Sequence, residues 1–476
     1  MVIRDRLSQF FDSGWYPALY AALCVLSGVN GKAVYVPMAC VLASLIILSC
    51  LFAKNKRSFI APVLMSFYCI GVDNPDGFNA DNAGLLAYYD LDSFLTVCAI
   101  GVVAAIFLLW RLVQMGVFKK ENQGKSGFLH GILLLDAALV LNGVGSAHWQ
   151  PVNLVYGLIF GGVLTFFYIL FRGCISGSRK DREFVCRITV AMSLIAFFQI
   201  LIMCVVRWNA GTLFTTDHIT RELCIDRDVT SLGWGIATSV GGILVLGVPA
   251  ALYLATGNRR GWLWLLIAMA LAAATFIPRS RSSVIAAALF LATGIFVGCF
   301  WGNNKKQIRI FLAVMLLMAT GVIAACFASN RINSSALAKY MRFDLILSDG
   351  RWDMWHTAWE DMRSAPVFGV GFDKGAYSLE DRPSNVFSNM YHGIIPQFCG
   401  AMGVVGVGAL TMHFFDLGKM LFSRFSWEKL LLLAVPGMIL VMSVVDNFFF
   451  YANYQFVYCL FLALLEKFER KQIKEG

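Results

Sequence analysis

The sequence predicts an all-α polytopic membrane protein of about fourteen transmembrane helices, with one large, partly helical extracytoplasmic loop. Three observations carry this reading. Of the 476 residues, 58% are hydrophobic and 14% charged, where a soluble domain carries about 25% charged residues. The apolar residues fall into runs of about 15 to 25, long enough to cross a bilayer core. Lysine and arginine collect in every second connection, as they do where short loops are retained on the cytoplasmic side.

In chain order, spans are expected near 15–29, 33–53, 58–72, 91–113, 128–145, 154–172, 184–206, 232–256, 262–277, 282–301, 309–328, 393–421, 430–448 and 454–466. Three regions follow. Residues 1–328 form the first part of the membrane domain, about eleven spans. Residues 329–391 form the large extracytoplasmic loop, and 392–476 the last three spans and a cytoplasmic tail. Arg4 and Arg6 precede the first span without a small-residue cleavage site, so that span reads as a retained anchor.

Orientation comes from the alternate loops. Lys54, Lys56 and Arg57; Lys119 and Lys120; Arg179, Lys180 and Arg182; Arg259 and Arg260; Lys305, Lys306 and Arg309; Arg424 and Lys429; and the tail from Lys467 mark the cytoplasmic side, with both termini inside. The formal charge of +10 is distributed over these clusters rather than gathered in one patch, which excludes a nucleic-acid surface. The thirteen cysteines lie mostly within apolar runs and show neither a disulfide framework nor zinc spacing. The acidic turn from Asp73 to Asp81 does not fit a calcium loop, and neither a metal nor a cofactor is expected.

Outward loops favour arginine, whose planar guanidinium grips phosphate through two parallel bonds. The turn Ile277-Pro-Arg279-Ser-Arg281-Ser-Ser283 joins two apolar runs and sets two guanidinium groups at the outer surface. Ser282 or Ser283 and the following helix N-terminus could add donors for an anion; the blander reading is snorkelling toward water. In the large loop, Arg351 begins the stretch Arg-Trp352-Asp-Met-Trp355-His-Thr-Ala-Trp359, which ends before Pro366. This is the pattern of an amphipathic helix capped by Ser348 or Asp349, with a tryptophan stripe set either to pack the loop on the membrane domain or to stack on sugar. Pro366-Val-Phe-Gly369-Val-Gly371 follows as a tight turn whose glycines allow close backbone approach. His392 stands where the chain re-enters the membrane, placed either as a general base or as a helix-end anchor. His148, His218 and His356 also face outward, so position alone does not choose among them.

Taken together, these residues resemble the O-antigen ligase and O-antigen polymerase superfamily of bacterial membrane glycosyltransferases over roughly residues 220–455. The carrying motifs are Ser280-Arg281; Gly350-Arg351 with Trp355, Pro366, Gly369 and Gly371; and His392 followed by Gly403 and Gly406. Leu232-Gly-Trp-Gly235 and Gly241-Gly242 add a weaker likeness. One departure stands out: the family usually has asparagine after the histidine, and this chain has Gly393.

The resemblance implies a metal-independent glycosyltransferase that moves a glycan from a polyprenyl-pyrophosphate-linked donor to a saccharide acceptor, as polymerase or ligase. It implies His392 as the base that activates the acceptor, Arg281 and Arg351 on the donor pyrophosphate, and Arg279 or Arg227 as assistants. It places the protein in the bacterial cytoplasmic membrane with its active site outside, with the lipid bilayer and polysaccharide assembly proteins as partners. A transporter or flippase is the rival reading, motivated by Asp136, Asp416 and Asp446 in or near spans; Asp446, near an outer helix end, could bind substrate or pair with an arginine. A noncatalytic scaffold for envelope assembly is the third.

Overall fold

The computed structural model describes residues 2–29, 35–69, 91–119, 127–216, 223–225, 232, 235–258, 260–314, 350–374 and 390–475. The helices are α1 (Val2–Phe11), α2 (Trp15–Val29), α3 (Tyr35–Phe52), α4 (Ile60–Met65), α5 (Leu91–Gln114), α6 (Leu129–Val140), α7 (Val152–Ile159), α8 (Leu164–Cys174) and α9 (Arg179–Asn209). After a small antiparallel hairpin of β1 (Phe214–Thr216) and β2 (Leu223–Ile225) come α10 (Ala237–Gly257), α11 (Gly261–Ala274), α12 (Arg281–Phe300), α13 (Arg351–Ser364), α14 (Ile394–Phe422), α15 (Trp427–Ser443) and α16 (Ala452–Glu475).

Among the described residues, six segments are long and apolar enough to cross a membrane: Leu95–Gln114, Val152–Cys174, Arg179–Asn209, Ala237–Gly257, Arg281–Phe300 and Ile394–Phe422. Four shorter apolar helices accompany them. Several expected spans are interrupted. The run 128–145 is helical only to Val140, and 58–72 is a short α-helix between 3-10 turns. The run 154–172 is two helices in line, broken at residues 160–163. The expected span 309–328, the acidic turn 73–81 and much of the loop 329–391 lie outside the described residues.

Helix α10 is the central column. Ninety-four per cent of its span is buried, against 11% for α5 at the periphery, and α9, α11, α12 and α15 pack around it. Such all-round burial removes any need for an amphipathic stripe, which is why the sequence of α10 is apolar on every face. A broken helix in lipid must satisfy its backbone elsewhere, and here side chains do so. Asp136 of α6 accepts from the N–H groups of Leu164 and Thr165 at the start of α8 (3.1 and 2.9 Å), and Gln455 donates to the carbonyl of Phe160 (2.6 Å).

A further break, in α14, matters most for the site. Gly403 interrupts α14 with φ of 61° and ψ of −151°. The loop segment 366–371 enters the gap: Val370 and Gly371 donate to the carbonyls of Gly400 and Ala401 (2.9 and 3.1 Å), while Val404 and Val405 donate to Pro366 and Val367 (2.8 and 3.2 Å). A regular helix would have paired 400 with 404 and 401 with 405, so the loop stands in for the missing turn. Side chains have no room there, because a Cβ on Gly369 would lie 2.3 Å from the Ala401 carbonyl carbon and one on Gly403 2.5 Å from the Pro366 oxygen.

Candidate functional site

The site forms where α13, the return segment 390–393 and the turn after α15 meet. Helix α13 begins at Arg351, with Gly350 at its cap position and no side-chain cap bond; the expected caps Ser348 and Asp349 lie outside the described residues. Its buried line runs through Ala358 and Asp361, with Arg351 half-buried at its start. The tryptophan stripe does not make the packing face. At about 100° per residue it falls roughly a quarter-turn to one side, so Trp352 and Trp359 stay exposed and only Trp355 reaches the body of the protein.

Trp355 donates from its indole nitrogen to the carbonyl of His392 (3.3 Å). His392 is in the left-handed region, with φ of 48°, a conformation that non-glycine residues adopt rarely and mostly where the surroundings impose it. Those surroundings are visible. The N–H of the preceding Tyr391 donates to Gln397 (2.9 Å), and its hydroxyl donates to Asp361 of α13 (2.5 Å), a carboxylate also held by the Lys374 ammonium (2.6 and 2.5 Å). Burial first, and then the Asp361 charge, push the Tyr391 hydroxyl well above the usual phenol range, so it remains a donor. Gly393 completes the turn in extended backbone. A Cβ there would sit 2.8 Å from the carbonyl of Val444 and 2.9 Å from Pro396, which leaves no space for the family's usual asparagine.

Asp446, in the turn after α15, faces this segment. Its carboxylate is buried, 3.6 Å from Nδ1 of His392 and 3.9 Å from the guanidinium of Arg351, and it accepts from the Asn447 N–H (2.8 Å). Burial pulls its pKa up, but the hydrogen bond and charge of His392, the Arg351 charge and the Asn447 N–H outweigh it, and the carboxyl lies below the ordinary aspartate range. The Asn447 amide nitrogen lies 3.5 Å from the same Nδ1. With Nδ1 turned to Asp446 and Asn447, Nε2 is the nitrogen left for a reacting group, and the ring is 28% exposed. His148 and His356 are both exposed, the latter beside Glu360, and His218 lies outside the described residues.

The Arg279 and Arg281 turn joins the same end of the bundle through α10. Ser280 caps α12 by accepting from Ser283 N–H, and its hydroxyl meets that of Ser283 at 2.7 Å. Ser283 is therefore buried in the cap and against Gly241 of α10, rather than presented outward as an anion donor. Two residues before Gly241, the Ser239 carbonyl accepts from Tyr454 (2.5 Å), and the Ser239 side chain bonds Tyr451, which feels the charge of Asp446. Arg279 is itself left-handed (φ 52°). Three non-glycine residues among those described take positive φ, and Arg279 and His392 are two of them. Arg227 lies outside the described residues.

The other carboxylates singled out in or near the spans have structural work. Asp136 caps α8, and Asp416 accepts from the backbone of Gly131 at the start of α6. Asp446, read from the sequence only as a carboxylate that could bind substrate or pair with an arginine, lies 3.9 Å from Arg351; Asn447 was missed, and an Asp-Asn pair closing an apolar run is the signal that could have added it.

Residues 266–411 match the family model described as O-antigen ligase, a stretch that contains Arg279, Arg281, Arg351 and His392 and ends before Asp446. No curated protein matches the chain.

Proposed function

We propose, from the premise that residues 266–411 form an O-antigen ligase domain in a multi-pass membrane protein of polysaccharide biosynthesis, that the chain transfers a glycan from a polyprenyl-pyrophosphate carrier to a saccharide hydroxyl. The observation that carries this is Asp446 set between His392 and Arg351. A carboxylate on one imidazole nitrogen orients the ring and stabilises the cation that forms when the other nitrogen takes a proton. Nε2 of His392 removes the proton from the acceptor hydroxyl as that oxygen bonds to the anomeric carbon. The bond from that carbon to the pyrophosphate oxygen breaks with inversion, and the electron pair leaves on the pyrophosphate. Arg351 and Arg281, assisted by Arg279 and Arg227, hold that developing charge, as fixed donors do best in a water-poor site. Guanidinium groups would supply the positive charge, so the reaction requires no metal. Asn447 stands in for the amide that the family carries next to its histidine.

In this reading about fourteen spans place both termini in the cytoplasm of a bacterium and the site on the outer face of its inner membrane. Residues 329–391 are the extracytoplasmic loop that connects membrane regions 1–328 and 392–476 in the chain. His392→Ala and Arg281→Ala are expected to abolish transfer from a lipid-linked donor by the purified protein while expression is unchanged; normal product from both removes the assignment. In cells, deletion leaving single unpolymerised repeats would mark a polymerase, and full-length chains retained on the carrier a ligase.

A further inference from the structure

Helix α5 stands at the edge of the bundle, packed on α3, and between it and the body lies a cavity of about 540 Å³, well inside the roughly 300–1,000 Å³ of small-molecule sites. Its walls come from α2, α3, α4 with the 3-10 turn that follows it, α5 and α8. On α5 they run from Val97 to Leu112, about 22 Å at the helical rise. That exceeds the hydrocarbon depth of one leaflet, about 15 Å. Two wall side chains, Tyr20 and Ser66, end in polar groups, and these hold each other: their hydroxyls meet at 2.7 Å, and Ser66 also donates to the carbonyl of Pro62 (2.6 Å). A buried water needs roughly two to four polar partners, and this pair is all that the wall side chains provide. Gly101, Ala105 and Leu109 of α5 and Phe166 of α8 line the space and remain exposed, so it opens sideways between apolar helices. At Gly101 the room is wide: a Cβ there would meet no atom within 4 Å.

A cation joins the walls at one end. Leu108, Leu109 and Leu112 line the last turn of α5, and Arg111 among them reaches across to donate to the carbonyl of Ala53, just past the end of α3 (3.1 Å). It also donates to the side chain of Gln114 (3.4 Å), while its Nε is buried without a hydrogen-bond partner. Among the described residues no carboxylate pairs with this half-buried guanidinium. The carboxylates along that edge are engaged elsewhere: Asp5 with Lys54 (3.4 Å), and Asp12 with the N–H groups of Lys54 and Asn55 (3.2 and 2.9 Å) and the Ser58 hydroxyl (2.9 Å). An apolar slot open to the bilayer thus ends at an arginine that lacks an anion. We infer that a phospholipid of the adjoining leaflet binds here, with one chain in the cavity and its phosphodiester against Arg111. The chain gives the wall atoms the contacts that a void would deny them, and a guanidinium is suited to phosphate oxygens. A free ion would leave the slot unfilled, and a helix of a second copy would leave the guanidinium unmatched. The site takes no part in the glycan transfer proposed above and stands without it.

The test is binding, read by native mass spectrometry without any transfer assay. Full-length protein, delipidated in detergent, is titrated with palmitoyl-oleoyl-phosphatidylglycerol and, in parallel, with glycerol phosphate, the headgroup without its chains. The wild type is expected to keep one phosphatidylglycerol at concentrations where further copies are lost. Glycerol phosphate should not bind, because one guanidinium contact to a solvated ion is weak. Gly101→Phe fills the slot from a position that has room for the ring and should raise the half-saturating lipid concentration by about tenfold or more. Arg111→Gln should raise it by about tenfold through loss of a charge-assisted contact. Ala105→Leu, at an exposed lining position, gives the same reading should Gly101→Phe not fold. A wild type that holds no lipid beyond the general background overturns the proposal, as does unchanged affinity in Arg111→Gln or in the slot-filling variant. Binding of glycerol phosphate alone, a polyprenyl phosphate found in the site of the protein as first isolated, or a dimer mass in place of the lipid adduct would each assign a different occupant and overturn it too.

Discussion

Replacing Asp446 by asparagine keeps the volume of the side chain and removes its charge. The carboxylate lies 3.6 Å from Nδ1 of His392, and at an effective dielectric of about 20 two unit charges at that distance attract by about 4–5 kcal/mol. The imidazole is 28% exposed, so solvent takes part of this, and about 2–3 kcal/mol remains to stabilise the imidazolium formed when His392 takes the acceptor proton. A loss of that size lowers kcat by roughly 30- to 150-fold. The donor KM should not rise, because Arg351 loses a competing carboxylate at 3.9 Å and becomes freer to hold pyrophosphate. The assay is steady-state transfer from a lipid-linked donor by the purified protein, with kcat and KM resolved separately. The double variant Asp446→Asn/His392→Ala should be no slower than His392→Ala alone, since residues that act as a unit are not additive. An unchanged kcat in Asp446→Asn, or additive losses in the double variant, would refute the pairing of Asp446 with His392.

Acid should act through the same carboxylate. Its pKa is depressed in the folded protein, so the stability it contributes is fully present above the ordinary aspartate value of about 4 and is lost as pH falls through the folded value. Thermal unfolding across pH should show this acid limb in the wild type and its attenuation in Asp446→Asn. Gly403→Ala and Gly369→Ala force a Cβ into backbone at 2.5 and 2.3 Å from positive φ; each should cost about 2–4 kcal/mol of stability, read as lowered melting temperature and poor membrane yield. Tyr391→Phe removes the hydroxyl held by Asp361 and should cost about 1–3 kcal/mol, with a fall in kcat larger than any change in KM as the strained His392 turn relaxes. An unchanged kcat would assign that hydroxyl to packing alone.

The membrane class and the family resemblance were legible because they rest on long apolar runs and on short motifs along the chain. The glycines of 366–371 were read as points of close approach, and the structure gives them that part against α14. Hydropathy could not see the breaks at residues 160–163 and 403, since a broken helix and a continuous one share the same apolar composition; the distinction lies in partners such as Asp136 and Gln455 that are distant in sequence. The tryptophans of α13 formed a true stripe but on the flank, because spacing fixes which residues share a face and leaves open which face is covered. Of the three carboxylates in or near the spans, Asp446 was already set apart by its place near an outer helix end; tertiary contact supplies its partners, Arg351 and His392, and gives Asp136 and Asp416 helix-capping work instead.

The junction at Gly403 also bears on how the protein is made. Residues 366–371 emerge from the ribosome before α14, yet the carbonyls of Gly400 and Ala401 and the N–H groups of Val404 and Val405 are met by that earlier segment. Hydrocarbon gives such groups no substitute. The final seating of α14 therefore has to follow delivery of the preceding loop to the end of the bundle where α14 starts, which makes placement of the loop and burial of the helix one cooperative step. A cell that stalls the loop would hold the protein with α14 unsettled, exposed to quality-control proteolysis before any site exists.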